Sequence, residues 1–308
     1  MEFKTQFVLM LPEPENNRWS AFNPSIAEAG DGSGYAMTIR SSNYIFSENR
    51  PQAILTQGTM VQSRIWFARL DKDAKTILPK KLYRVRLDSD VELKRGAEDA
   101  RLFWRDGGWK FTATIMETHT PVGRMTLWSL DDKSMIATLE KVYPGQFEKI
   151  VEKNWIPTSD GGGDFDYIYG PNIVYKDGEF IKVGPQDGLP AFRGGSQLLA
   201  DGDGYLAVCH VTSLAAPHKR VFSNKTFSMV QSRERKYEHL FVRYDKSGRV
   251  LATSPTFDFG YADIEYVSGL VRRGDDLVLS FGVDDKKTFI AEIPYSEVID
   301  SLVEFSYD

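Results

Sequence analysis

Carboxylates and cations recur together at a few points of the sequence. Glu98 and Asp99 stand side by side with Arg101 two residues on, and Lys153 precedes Asn154 and Trp155. Asn23 is followed at the far end of the next apolar run by Arg40, Arg193 by His210, and Glu265 by Asp284 and Asp285. A carboxylic acid can move a proton to or from an oxygen, and a group of cations can hold an oxyanion such as phosphate. Taken singly, each group has the ordinary reading of a solvated loop or an ion pair. Only convergence on one place makes a site of them, so the elements that carry them decide.

Those elements read as strands. Alternation over short segments such as Tyr35–Arg40, Trp109–Ile115, Tyr205–His210 and Leu277–Phe281 is punctuated by Asp-Gly and Gly-Gly turns, the signature of hairpins. A small or polar residue, then Pro, Ala, Ser or Gly, then an aliphatic residue leads into a hairpin at Asn23-Pro-Ser-Ile26, Asp99-Ala-Arg-Leu102, Gly195-Ser-Gln-Leu198 and Ser268-Gly-Leu270, with Lys153-Asn-Trp-Ile-Pro157 a looser fifth copy. The spacing suits propeller blades of roughly 40 to 50 residues with insertions. The pattern therefore predicts an all-β, five-bladed β-propeller over 1–308 as one domain, with a β-sandwich as the competing architecture. In a propeller, equivalent positions of every blade point into one central funnel, which is the convergence the charged positions require.

Composition bounds the rest. At 42% hydrophobic and 26% charged residues, the 308-residue chain has ample material for a core, which excludes a disordered or fibrous protein. With 38 Lys+Arg against 43 Asp+Glu, it gives no reason to expect a nucleic-acid partner. The single cysteine, Cys209, excludes an intrachain disulfide framework and reads as a buried strand thiol. His119, His218 and His239 have no ligand spacing, so no catalytic transition metal and no cofactor are expected. With no apolar run long enough to span a bilayer and no leader pattern, the sequence reads as cytoplasmic.

Gly96-Ala-Glu-Asp-Ala-Arg-Leu102 resembles the Gly-x-Glu-Asp-Pro-Arg signature of the five-bladed propellers of glycoside hydrolase family 130, the inverting β-mannoside phosphorylases and hydrolases, and of the related mannosyl-transferring family 108. Further matches follow in order over residues 20 to 295: Phe22-Asn-Pro with Arg40, Glu152-Lys-Asn-Trp155, Arg193-Gly-Gly with Cys209-His210, and Ser268-Gly-Leu with Phe281-Gly-Val-Asp-Asp285. Ala100 for the usual Pro, Asn154 where many phosphorylases carry Asp, and Cys209 where they usually carry Tyr are departures that bear on the subfamily. The resemblance implies Asp99 as the catalytic proton donor. Burial beside Glu98 is expected to raise its pKa, with Arg101 as a counterweight. It also implies a sugar site drawn from Asn23, Arg40, Glu98, Asn154, Trp155, Glu265 and Asp285, and a phosphate site from Arg101, Lys153, Arg193 and His210.

An inverting hydrolase needs a second carboxylate to activate water, whereas phosphate needs cations to hold it. The cations at motif positions favour phosphorolysis or its reverse, glycosyl transfer from a sugar phosphate or nucleotide sugar to a sugar or oligosaccharide acceptor. A hydrolase using Glu265, Asp284 or Asp285 as base and a noncatalytic carbohydrate-binding propeller are the alternatives. Trp155 reads chiefly as core, with sugar stacking as its second reading. Gly161-Gly-Gly163 lacks the Gly-Lys-Ser/Thr of a phosphate loop and reads as a turn. The basic stretch 217–236 reads as a solvated loop that could dock an anionic acceptor, a neighbouring subunit or RNA, and a homo-oligomer stays open.

Overall fold

The computed structural model describes residues 1–9, 19–47, 50–116, 122–145, 151–158, 166–214 and 235–306, with backbone alone for 46, 47, 50–53 and 214. Gly161–Gly163 and nearly all of the basic stretch, through residue 234, lie outside them.

Five antiparallel sheets follow one another in sequence as the five blades of a propeller. The first comprises Ser20–Glu28, Tyr35–Ser42, Ser63–Arg69 and Tyr83–Arg84. The second runs Ala97–Arg105, Gly108–Met116, Gly123–Asp131 and Ile136–Val142, with Arg86–Asp88 added in parallel at its outer edge. The third holds Ile156–Pro157, Tyr167–Gly170, Ile173–Lys176 and Glu179–Lys182. In the fourth, Arg193–Gly194 and Leu199–Asp201 both pair with Gly204–Leu214, which leads on to Arg235–Asp245, Val250–Thr253 and the C-terminal Val303–Glu304. Glu265–Arg273, Asp276–Val283 and Lys287–Pro294 make the fifth, completed by the N-terminal strand Thr5–Val8, with Thr5 opposite Glu292 and Val8 opposite Phe289. The ring thus closes by joining the two ends of the chain. A sandwich is excluded by five separate sheets arranged in sequence order.

The turns form where Asp-Gly pairs stand: Asp106 and Gly107 take φ of 53° and 74° between the paired Arg105 and Gly108, the double left-handed geometry that twists with the strands. Alternate apolar residues of neighbouring sheets interdigitate, as where Phe67 of the first blade meets Trp109 of the second at 6.0 Å. Near the centre the joints are polar but satisfied. Gln197 Nε2 donates to the carbonyls of Ile26 and Leu270, each at 2.8 Å, tying three blades together, and Thr38 Oγ1 donates to Ala100 O at 2.7 Å. Buried polar groups hydrogen-bonded across blades fix the blades' relative register.

The innermost strands share one local irregularity. Pairing slips between Phe22 and Ser25 in the first blade, opposite Asp99 and Ala100 in the second, and between Val267 and Gly269 in the fifth. At these bulges Asn23 and Asp99 adopt φ of 49° and 51°, and Asn154 reaches 66° just before the third blade's first strand. Asn and Asp tolerate the left-handed region better than other side chains, and a bulge re-aims the residue it carries. The sequence therefore turns Asn23 and Asp99 toward the axis by the same device, while Asn154 shares their left-handed backbone without a bulge.

Candidate active site

One cavity at the axis is lined by Asn23, Arg40, Asp99, Lys153, Asn154 and Asp285 of the sequence-predicted residues, joined by Arg235, Tyr237, Ile264 and Tyr266. These come from all five blades or the segments that open them. The cavity is narrow, with a volume of about 40 Å³, and opens to solvent.

Asp99 is the centre of its hydrogen bonding. Asn23 Nδ2 donates to Asp99 Oδ1 at 2.9 Å, and Arg40 Nη1 reaches the same oxygen at 3.0 Å. Arg40 is in turn held by Ser63 Oγ at 3.0 Å and pairs with Glu98 at 3.3 Å, which puts Glu98 at the rim behind Arg40. Asp99 does not have the raised pKa expected from burial beside Glu98. Burial pushes it up, but Arg40, the Asn23 amide, Lys153 and Arg101 outweigh that and hold it at about 2. At neutral pH it is a carboxylate.

Asp285 behaves oppositely. Burial pushes it up to about 6, with Asp99 and Glu98 adding to the effect against Arg40 and the Tyr44 hydroxyl, which donates to Asp285 Oδ2 at 2.8 Å. Asp99 and Asp285 thus share a cavity and a cation yet have pKa values pushed in opposite directions, the arrangement that can divide acid and base roles between two like groups.

Besides Glu98, five of the expected residues do not line the cavity. Arg101, 1% exposed, is not on the cavity wall: Nε donates to Gly195 O at 2.6 Å and Nη2 to Asn154 Oδ1 at 3.0 Å and to Tyr266 OH. Its donors are thereby committed to the second, third, fourth and fifth blades' junction rather than presented to a ligand. Trp155 is 1% exposed in an aromatic cluster with Tyr143, Tyr175 and Phe180, its Nε1 donating to Glu152 at 3.2 Å. Glu265, fully buried, accepts the backbone N–H groups of Phe259, Tyr261 and Ala262 and so anchors its own loop. Arg193 is exposed and pairs in register with His210. His210 lies behind the wall, its ring 5.3 Å from that of Tyr266, and burial together with His239, Arg101, Lys153 and Arg193 drives its pKa well below the usual value. It is a neutral imidazole and not one of the site's cations.

Tyr44, Tyr237 and Tyr266 were not anticipated. Tyr266 had a legible signal: it adjoins Glu265, and successive strand residues face opposite ways, so the residue that turns under the blade delivers its neighbour to the cavity. Arg235 was visible only as one cation in a basic run. Cys209 is buried with its thiol pushed up to about 12, chiefly by burial. Among the described residues, no helix is long and apolar enough to cross a membrane.

No family model and no curated protein sequence matches the chain. Solved structures do. The β-1,2-mannobiose phosphorylase of Listeria innocua superposes with a TM-score of 0.62 over 94% of either chain at 13% identity. The chain has the fold of a mannoside phosphorylase. The MPT-4 mannose phosphorylase of Leishmania mexicana, solved with phosphate, matches with a TM-score of 0.56 over 100% of this chain and 94% of its own at 12% identity. The GDP-Man-dependent mannosyltransferase MPT-1 of the same organism gives 0.52 over 96% and 90% at 14%.

Proposed function

We propose that the chain transfers a mannosyl group, with inversion, between a sugar hydroxyl and phosphate or a phosphate-activated donor, and that Asp99 carries the proton. The observation that supports this reading most is the meeting of Asp99 with Arg40 and Lys153 in a cavity of the propeller fold shared with a mannobiose phosphorylase, a mannose phosphorylase and a mannosyltransferase. Lys153 serves the phosphate. Asn23, Asn154 and Tyr266 offer the hydrogen-bonding groups that sugar hydroxyls need.

In the transfer direction the acceptor oxygen attacks C1 of the sugar phosphate, the C1–O bond to phosphate breaks, and the acceptor proton passes to Asp99. In phosphorolysis the proton returns from Asp99 to the leaving sugar oxygen as phosphate forms its bond to C1. A carboxylate held at about 2 is a poor proton donor, so the acid role requires a bound anion. Phosphate beside Lys153 and Arg40 offsets the positive charge that keeps Asp99 ionised, and raises its pKa when the proton is needed.

Asp285 gives the hydrolase alternative its own observation: it lines the same cavity and is the carboxylate available there to activate water. Incubation with mannose 1-phosphate and a panel of acceptor sugars separates the readings. Transfer predicts acceptor-dependent phosphate release. No release with any acceptor, together with free mannose from β-mannosides in phosphate-free buffer, overturns transfer in favour of hydrolysis.

A further inference from the structure

A second and larger cavity, with a volume of about 580 Å³, lies between the first and second blades against the back of the Arg40 side chain. Ser63 separates the two: it lines this groove, while its hydroxyl holds Arg40 Nε at 3.0 Å. The groove's charged lining is Arg64, Arg84, Arg86 and Lys94, and among the described residues no carboxylate lines it. Arg84 and Arg86 are exposed on either side of the buried Val85, and all three line the groove. Arg64 stacks over Trp19 at 3.9 Å. Lys94 has Glu92 at 3.2 Å, an exposed pair worth little in water.

The groove's floor is also part of the segment that carries Asp99. Ser63 N donates to Arg95 O at 2.8 Å, and a Cβ at Gly96 would overlap Ser63 O, so only glycine permits this contact. An occupant of the groove therefore rests on the backbone three residues before Asp99.

We propose that this groove binds the phosphate-bearing extension of a substrate whose sugar occupies the axial cavity, a phosphate distinct from the one Lys153 serves. Guanidinium groups are the side chains best suited to bidentate phosphate contacts. The extension belongs either to the donor, as a nucleoside diphosphate, or to the acceptor, as a phosphorylated oligosaccharide. The proposal rests on the mannosyl-transfer reading, but its test measures binding and so fails separately from it.

Calorimetric titrations of the wild type and of Arg84→Glu/Arg86→Glu use three probes: a nucleoside diphosphate mannose, a mannobiose carrying a 6-phosphate, and neutral mannobiose. Arg84→Gln/Arg86→Gln, with thermal melts of both variants, guards against damage from the reversed charges. The proposal predicts that one phosphorylated probe loses about tenfold or more in affinity in both variants and weakens with added salt, while neutral mannobiose changes little. Which probe responds identifies the donor or the acceptor as its source. The proposal is overturned if neither phosphorylated probe binds wild type more tightly than mannobiose, if neither loses affinity in the variants, or if mannobiose loses as much.

Discussion

Asn23 and Asp99 are counterparts: each occupies the bulge of its blade's innermost strand, at φ of 49° and 51°, and the amide of one donates to the carboxylate of the other at 2.9 Å. The left-handed backbone aims both side chains at the axis, and the hydrogen bond favours the charged form of Asp99. Asn23→Gly keeps the backbone conformation and removes the bond. The pKa of Asp99 is then expected to rise, and the acidic limb of the pH–rate profile to move to higher pH. Asn23→Ala adds a backbone cost of roughly 1–2 kcal/mol, visible as a lower denaturation midpoint than Asn23→Gly. An unmoved acidic limb in Asn23→Gly would remove this bond from the control of Asp99.

Arg101 and Lys153 separate structural from ligand-facing charge. Arg101→Met leaves Gly195 O, Asn154 and Tyr266 short of a buried donor and is predicted to cost about 3 kcal/mol in denaturant unfolding. Lys153→Met is predicted to leave stability within about 0.5 kcal/mol and to raise the KM for phosphate. The reverse pattern, a stable Arg101→Met with a high phosphate KM, would return Arg101 to the phosphate site.

Asp285 predicts an unusual pH dependence. Its folded pKa of about 6 lies above the ordinary 3.8, so its protonated form stabilises the fold. That contribution is complete below about pH 4 and is lost as pH rises through 6. Asp285→Asn, neutral at every pH and still able to accept the Tyr44 hydroxyl, should melt at a higher temperature than wild type at pH 7.5 and close to it at pH 4. A lower melting temperature at both would show that ionised Asp285 is well accommodated.

Trp155→Ala is expected to destabilise by about 3–5 kcal/mol, because it empties a site packed by Tyr143, Tyr175 and Phe180. Trp155→Phe is expected to keep KM for sugar. A raised sugar KM in a stable Trp155→Phe would mean that the ring touches substrate.

These residues mark what a sequence can convey. The blades were legible because hairpin turns and the recurring small-residue motif are local features. Asn23, Arg40, Asp99, Lys153, Asn154 and Asp285 could be placed near one axis because they stand at equivalent points of those repeats. Direction and partnership were not legible. A one-residue step along a strand sends Glu265 under its blade and Tyr266 into the cavity. The charge of Arg101 does not disclose that carbonyl, amide and phenol groups from distant blades already occupy it. The depressed pKa of Asp99 is equally nonlocal, since Glu98 is its neighbour in sequence but Arg40 and Asn23 set its state in space.

Turnover of mannose 1-phosphate by Asp99→Asn, measured beside wild type with an active acceptor, tests the central claim most directly. Asp99 is predicted to be indispensable, so phosphate release should fall by about 10³-fold or more, with the fold retained at a stability cost of roughly 2 kcal/mol from the lost ion pair with Arg40. Turnover at the wild-type rate in a folded Asp99→Asn protein would contradict the account.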